Sequence, residues 1–486
     1  MALVLLLVLP LLGGAVVAVA PRHPVAQWTA VASNGAVLVL GIAVAVRVVG
    51  SGPMTGAWGV LRADALSAFM VLVIGVVALL ASWLGIRTLA FERRDGRTTQ
   101  GRATGYGMLV QVFVATMLLA VLAANLGVLW VAVEATTIVT TFLVGHRRTK
   151  GALEASWKYL VICSVGIALA FLGTVLVYLA ALHAGGHSAG ALDWTSLMAG
   201  AHRLDPSVMR LAFALLVLGY GTKVGLAPMH SWLPDAHSQA PAPVSALMSG
   251  VLLTVAFYAI LRFKAVVDVA VGPAFPRTLL VIVGLLSLGV AASLLIAQRD
   301  YKRMLAYSSI EHMGLIALGA AAGIRLAIAA VLLQVLGHGL TKTVLFLTSG
   351  EILAAEGTSQ IDGVRTLLAR RPVLGGVFGI GLVALLGLPP FSLFSSELLM
   401  TRAEFKVGLG WVAVAAVAFM VVIFVAVVGH ARHMLLGGSA SESPAPRPPG
   451  WVTAPLVGGL ATCAFIGVAA WPLDGLLQAA ARVVAT

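Results

Sequence analysis

The chain has 486 residues, of which 60% are hydrophobic and 10% charged, with a mean hydropathy of +1.03. A soluble globular protein carries roughly 25% charged residues, so this chain cannot bury its apolar surface in its own interior and lipid must be its solvent. The formal net charge of +13 sits in the loops between apolar runs, which argues against a nucleic-acid partner.

Apolar runs near the ~20 residues that span a bilayer as a helix recur along the whole length. In chain order they are Ala2–Ala20, Gln27–Val49, Leu66–Leu89, Tyr106–Ala123, Gly127–Gly145, Ser156–Ala181 and Val208–Ala227. Pro243–Phe263, Thr278–Ala297, Met304–Ala322, Leu326–Leu353, Val373–Glu404, Gly408–His430 and Val452–Ala470 follow. The pattern predicts an all-α, polytopic membrane protein with about fourteen transmembrane helices. The alternating segments of an outer-membrane barrel do not occur. No basic residue precedes the first run, so a cleaved signal peptide is not expected.

With fourteen helices the loops alternate sides. Arg22 and the segments Arg87–Arg102, Arg147–Lys150, Arg299–Arg303, Arg365–Arg371 and Arg432–Arg447 share one side and hold most of the Lys and Arg. By the positive-inside rule that side is cytoplasmic and both termini face outward. The loop Gly437–Gly450 is rich in Ser, Pro and Gly and reads as mobile. After Val452–Ala470 only a short tail remains, too short for a long helix along the membrane surface. Cys163 and Cys463 are isolated, with neither a CxxC motif nor an iron–sulfur spacing. No cofactor or metal is expected in this chain; if electrons move in this system, another subunit carries them.

Two helices are interrupted by related sequences. Lys223-Val-Gly-Leu-Ala-Pro-Met229 closes one run, and Leu385-Leu-Gly-Leu-Pro-Pro-Phe391 breaks another roughly 160 residues later. Proline removes a backbone donor and clashes with the preceding turn. Broken helices at membrane depth survive where protein or water satisfies the freed groups. One such break reads equally as a packing kink. Two with matched sequence beside charges point to the inverted-repeat architecture of transporters.

Charged residues within these runs carry the functional reading, because a charge at the bilayer centre costs at least ~3 kcal/mol. Glu134 lies near mid-membrane by the helical rise. Lys223 precedes the first break by one turn. A lysine balanced between burial, which favours the amine, and a carboxylate, which favours the ammonium, changes charge when a neighbour moves. Gln334, His338 and Lys342 recur every four residues and stack on one helix face. Histidine both donates and accepts protons near neutral pH. Glu397 follows the second break by two turns and is a candidate terminus for a path. Glu134 reads alternatively as a structural ion pair, Lys223 as a structural residue, the Gln334–His338–Lys342 stripe as interhelical hydrogen bonding, and Glu397 as an interfacial carboxylate near Arg402 and Glu404.

Five further residues are weaker candidates. Lys158, four residues after Glu154, either serves a path or snorkels to the cytoplasmic surface. Glu311 and His312 are adjacent and point to different faces. His230 and His237 flank the short segment Ser231–Ala236, either at a proton mouth or as structural turn residues. Lys302 and Arg303 read as anchors.

Lys223–Ser245 (KVGLAPMHSWLPDAHSQAPAPVS), Tyr301–Gly314 (YKRMLAYSSIEHMG) and His338–Leu347 (HGLTKTVLFL), in this order, resemble the antiporter-type membrane subunits of respiratory complex I. That superfamily includes Mrp-type sodium/proton antiporters and membrane-bound hydrogenases. The SSIEHMG and HGLTK forms resemble the hydrogenase-4 or formate-hydrogenlyase branch most. The resemblance implies two inverted five-helix repeats, each a half-channel. Residues 1–104 would form N-terminal helices, 105–265 the first repeat, 266–435 the second, and 436–486 a loop and C-terminal helix.

It further implies a glutamate–lysine pair at Glu134 and Lys223, His338 and Lys342 in the second repeat, and Glu397 as the terminal charge. The implied function is proton translocation within a redox-driven complex, with other membrane subunits and a peripheral redox arm as partners, in a bacterial cytoplasmic membrane. A change of charge in a partner would disturb the Glu134–Lys223 pair and send a proton towards His338, Lys342 and Glu397. The alternatives are a subunit of a multisubunit Na+/H+ antiporter and a non-transporting scaffold. One departure stands out. Where complex I members carry a lysine or histidine after the APAPVS-like turn, Val251–Phe257 offers only Thr254. The group that bridges the half-channels is therefore open.

Overall fold

The computed structural model describes residues 1–20, 24–185, 190–437 and 448–485. Arg22, Arg447 and most of the Gly437–Gly450 loop lie outside the described residues. The chain is a bundle of α1 (Ala2–Val19), α2 (Pro24–Ser51), α3 (Ala65–Arg94), α4 (Gln100–Leu122), α5 (Leu126–Val144) and α6 (Lys150–His183). Then come α7 (Trp194–Gly200), α8 (Pro206–Val224), α9 (Trp232–Gln239), α10 (Ala242–Leu247) and α11 (Leu253–Val271). The rest are α12 (Ala274–Ile296), α13 (Tyr301–Ala322), α14 (Arg325–Glu356), α15 (Leu367–Arg370), α16 (Pro372–Leu385), α17 (Ser392–Lys406), α18 (Gly410–Leu436), α19 (Gly450–Val468) and α20 (Trp471–Val484). A hairpin of β1 (Met54–Gly56) and β2 (Leu61–Ala63) is the one sheet among the described residues.

Among the described residues, twelve spans are long and apolar enough to cross a membrane. α16 (Pro372–Leu385) is a shorter apolar helix, and α13, which carries Lys302, Arg303, Glu311 and His312, is not among those spans, so two of the fourteen runs read from the sequence, Met304–Ala322 and Val373–Glu404, have no counterpart among them. Helix starts follow side-chain caps. Asp64 accepts from Ser67 N at 3.0 Å, Asn125 from Gly127 N at 2.9 Å and Asp205 from Ser207 N at 2.8 Å. Each satisfies an orphan donor of a first turn.

Burial sorts the helices. The stretches Ala242–Asp268 and Ala327–Ser349 are enclosed, whereas α1, α2, α18 and α19 expose broad apolar faces to lipid. Pro243–Phe263 proves longer than its apolar run. The helix continues to Val271 and takes in Lys264 and Asp268, a buried ion pair at 2.5 Å. The tail after α19 is also a helix: α20 turns Leu476, Leu477, Ala480, Ala481 and Val484 inward and keeps Asp474 and Arg482 exposed.

Both predicted breaks are present. α8 stops at Val224, where Gly225 takes φ +83°, and α9 resumes at Trp232. Trp232 Nε1 donates to the Thr222 carbonyl at 2.8 Å, so an indole from beyond the break meets the end of α8. α16 stops at Leu385 and α17 starts at Ser392. Between them Gly387 adopts φ +60°, and a Cβ there would collide with the Glu397 carboxylate. Backbone freed at each break thus has protein partners, as a membrane interior requires.

Candidate functional site

Two polar assemblies run through the bundle. The first gathers α5, α6 and α8. Lys223 is completely buried, and its Nζ donates to Thr137 Oγ1 at 2.8 Å and to the Tyr159 hydroxyl. The ammonium also lies 4.7 Å from the Tyr159 ring centroid. Tyr159 OH meets Thr140 Oγ1 at 2.5 Å. Glu134 stands one turn before Thr137 on α5; it is half-buried, and its Oε2 takes no hydrogen bond within the chain. The expected Glu134–Lys223 pair is therefore not a direct contact. Thr137, three residues from Glu134, holds the lysine instead.

The second assembly is longer. Lys342, completely buried, donates to the Leu305 carbonyl at 2.7 Å and to Ser308 Oγ at 2.5 Å. Ser309 Oγ also donates to Leu305 O, at 3.2 Å, and meets Ser249 Oγ at 2.8 Å. His338 Nε2 lies 3.2 Å from the Ser249 carbonyl. His338 packs against His312 with ring centroids 5.1 Å apart. His312 Nδ1 is 2.9 Å from Gln334 Nε2, and Gln334 Nε2 donates to Glu397 Oε1 at 3.2 Å. Ser396 donates to Gln334 Oε1 and fixes the amide. Of the sequence stripe, Gln334 contacts Glu397 directly, His338 approaches it through His312, and Lys342 is linked to His338 by way of Leu305, Ser309 and Ser249. Glu311, 6% exposed, is within electrostatic reach of Lys342 and Glu397.

Ser249 sits in a π-helical turn, Met248–Leu252, between α10 and α11. Such turns recur at functional sites. Thr254 donates to Val251 O on its own helix at 2.8 Å and reaches neither assembly. His237 is completely buried, stacks on Phe346 at 5.1 Å, and neither of its ring nitrogens has a hydrogen-bond partner within the chain.

The remaining candidates sit elsewhere. Lys158 is nearly half exposed and pairs with Glu154 at 2.7 Å and Asp235 at 3.1 Å. Arg303 also pairs with Asp235. This is a surface clamp of α6, α9 and α13, the snorkelling alternative. His230 is half-buried at the first break, with Nδ1 3.2 Å from the Pro228 carbonyl. Lys302, read as an anchor, is 1% exposed and donates to the carbonyls of Ser238 and Ala240 at 2.9 and 2.8 Å.

Sequence reasoning passed over Thr137, Thr140, Tyr159, Ser249, Ser308 and Ser309. A signal existed in the hydroxyls crowded at helical spacing in Thr136–Thr141 and Ser308–Ser309. It also passed over a second buried cluster, where Arg262 pairs with Asp64 at 2.7 Å and lies 4.5 Å from the Trp194 ring centroid. Burial pushes the Asp64 carboxyl up, but the charge and hydrogen bond of Arg262 outweigh it and hold the group below its ordinary value.

A family model described as NADH:quinone oxidoreductase/Mrp antiporter, transmembrane, matches residues 123–423. Over 337 residues the chain is 41% identical to the hydrogenase-4 component F homolog of Methylacidiphilum infernorum, covering 68% of this chain and 71% of that one. It is 31% identical over 387 residues to NADH-quinone oxidoreductase subunit N of Desulforudis audaxviator, covering 77% and 74%. A chain in the structure of the membrane-bound sulfane sulfur reductase, an archaeal respiratory membrane complex, superposes with a TM-score of 0.89 at 25% identity, covering 99% and 97%.

Proposed function

We propose that this chain, which belongs to the NADH:quinone oxidoreductase/Mrp antiporter transmembrane family, moves protons as one membrane subunit of a redox-driven complex. The observation that carries this reading is the setting of its two interior lysines. Lys223 and Lys342 are both completely buried, and each amine is held by neutral oxygens only. Among the described residues no carboxylate pairs with either. A permanent charge there would be costly unless paired. Hydroxyls and a carbonyl accept from the ammonium and the amine alike, so either protonation state fits. A scaffold has no use for such groups.

In this reading a charge change in a neighbouring membrane subunit acts on Glu134, which is half-buried with a free oxygen. Its field reaches Lys223 across Thr137. Two unit charges 4 Å apart at an effective ε of 20 interact by ~4 kcal/mol, enough to alter a protonation state. The proton then enters the second assembly and passes Lys342, His338, His312 and Gln334 to Glu397, which lies beside the second break. Glu311 tunes the field at both ends of that chain, and His230 sits at the mouth of the first break. Electrons travel in partner subunits.

The two breaks, with a buried lysine before one and a buried glutamate after the other, support two inverted half-channels over 105–265 and 266–435. The basic loops face the cytoplasm of a bacterium and both termini face outward. Protons are favoured over Na+ because amines and imidazoles carry protons, whereas sodium requires oxygen ligands.

The test is proton pumping by inverted membrane vesicles that hold the parent complex, normalised to electrons transferred. Lys223→Ala and Lys342→Ala should each abolish pumping while the complex still assembles. Normal pumping in either variant would overturn the reading.

A further inference from the structure

At the basic end of the bundle, where α3, α10, α13, α14, α19 and the turn after α5 meet, lies a cavity of 310 Å³. Its walls include Glu92, Lys302, Gly350 and Glu351, and exposed Arg97 stands at its rim. Glu351 is held by Arg87 at 2.7 Å, and Glu92 by Arg147 at 2.7 Å. Glu92 Oε2, deeply buried, takes no hydrogen bond. Lys302 Nζ reaches past the wall to the carbonyls of Ser238 and Ala240, next to His237 in sequence.

α14 links this cavity to the interior. Stepping four residues at a time from Gly350 meets Phe346, Lys342, His338 and Gln334, each step about 6 Å along one face. His237 stacks on Phe346, midway between the cavity wall and Lys342. The imidazole beside the phenyl ring has two nitrogens without partners within the chain.

We infer that this cavity is a proton-uptake vestibule of the second assembly, with Lys302 and Glu351 at its inner wall and His237 as the relay into Lys342. The inference rests on the proton-moving reading above and adds an entry of its own to the second assembly. A proton from the buffered cytoplasm reaches a ring nitrogen of neutral His237 and forms an N–H bond there. It then passes to the free-amine form of Lys342, and His237 returns to its neutral state. The carboxylates of Glu92 and Glu351 offset the cations around them and keep the vestibule hospitable to a positive charge. Lys302, tied to the carbonyls that follow His237, positions that segment.

Two measurements on vesicles holding the complete complex test this. First, Ala354→Cys, on the cavity wall, should react with a membrane-impermeant thiol reagent added from the cytoplasmic face and stay protected from the other. The two native cysteines are buried and serve as the background. Protection from the cytoplasmic face would overturn the inference. Second, His237→Phe and Lys302→Met should each lower pumping per electron about tenfold, the effect of ~1.4 kcal/mol on a limiting transfer. Glu351→Gln should lower it less, because Arg87 can still hold the amide. Assembly is followed by the amount of complex in the membrane. Normal pumping in His237→Phe, with pumping lost in Lys342→Ala, would overturn the vestibule and keep the wider reading. Normal pumping in both would overturn both.

Discussion

The imidazoles of His312 and His338 stand ring to ring, 5.1 Å between centroids and tilted by 50°. Each belongs to a different helix, α13 or α14, and each is tied on its far side, one to Gln334 and the other to the Ser249 carbonyl. His312 Nε2 and His338 Nδ1 have no hydrogen-bond partner within the chain. Phenylalanine at either position keeps the ring contact and removes the nitrogens. His312→Phe and His338→Phe should therefore each cut pumping about tenfold or more, within the range set by general acid–base groups, with electron-transfer subunits still bound. Because the two act in series, the double variant should be no slower than the slower single one. Additive losses in the vesicle assay would show parallel routes instead.

Tyr159 tests the first assembly. Its hydroxyl accepts from Lys223 and meets Thr140. Tyr159→Phe leaves Thr137 as the lysine's partner and strips one hydrogen bond from a buried amine. The expected loss of stability is about 1–3 kcal/mol, read as a lower Tm of the purified complex. Pumping should slow but persist, in contrast to Lys223→Ala. A Tyr159→Phe variant as inactive as Lys223→Ala would make the phenol a proton carrier rather than a support.

How far the sequence reached follows from what hydropathy can register. Long apolar runs gave the fold, because each helix must bury its backbone bonds in itself and show apolar side chains to lipid. The breaks were legible because Gly-Leu-x-Pro contradicts a helix wherever it stands. Glu134, Lys223 and Lys342 were legible because charge is conspicuous in an apolar run. Threonine and serine hydroxyls were not, since they satisfy their own backbone inside a helix and cost little there. Lys302 looked like an anchor because its position near a helix end is also that of a snorkelling residue. Its enclosure depends on α3 and α14, far away in sequence. Lys264 and Asp268 were hidden by ending the run at Phe263, just before Lys264, although the two neutralise each other one turn apart.

Asp64 and Arg262 make a prediction with a definite sign. The pair is almost fully enclosed, 4% exposed on each side, and the Asp64 carboxyl lies below its ordinary value. A carboxyl lowered on folding stabilises the protein above its unfolded value, near 4, and that contribution fades as pH falls through the lower folded value. Asp64→Asn strands the Arg262 charge and should cost about 3–5 kcal/mol. The Tm difference between wild type and Asp64→Asn should stay constant from about pH 8 to about pH 5 and shrink only in stronger acid. A difference that widens on acidification would contradict the pairing.

The packing of α6 on α8 sets the position of Lys223, and Gly219 is where that packing is tightest. A Cβ on Gly219 would fall 2.6 Å from the Gly166 carbonyl and 2.7 Å from Ala170 Cβ, and would strike the Ala170 backbone nitrogen. Close approach through small residues is how membrane helices gain van der Waals contact. Backbone atoms cannot yield, so alanine must push α8 away from α6. Lys223 lies one turn further along α8, and its partner Tyr159 lies on α6. Gly219→Ala should therefore lower stability by about 1–3 kcal/mol and also weaken pumping, by drawing the amine from its hydroxyl. Gly105→Ala is the control. That glycine is helical, with nothing within 4 Å of its added Cβ, and alanine there should stabilise by up to ~1 kcal/mol. If Gly219→Ala lowers Tm but leaves pumping at the Gly105→Ala level, Lys223 does not depend on this helix contact for its position.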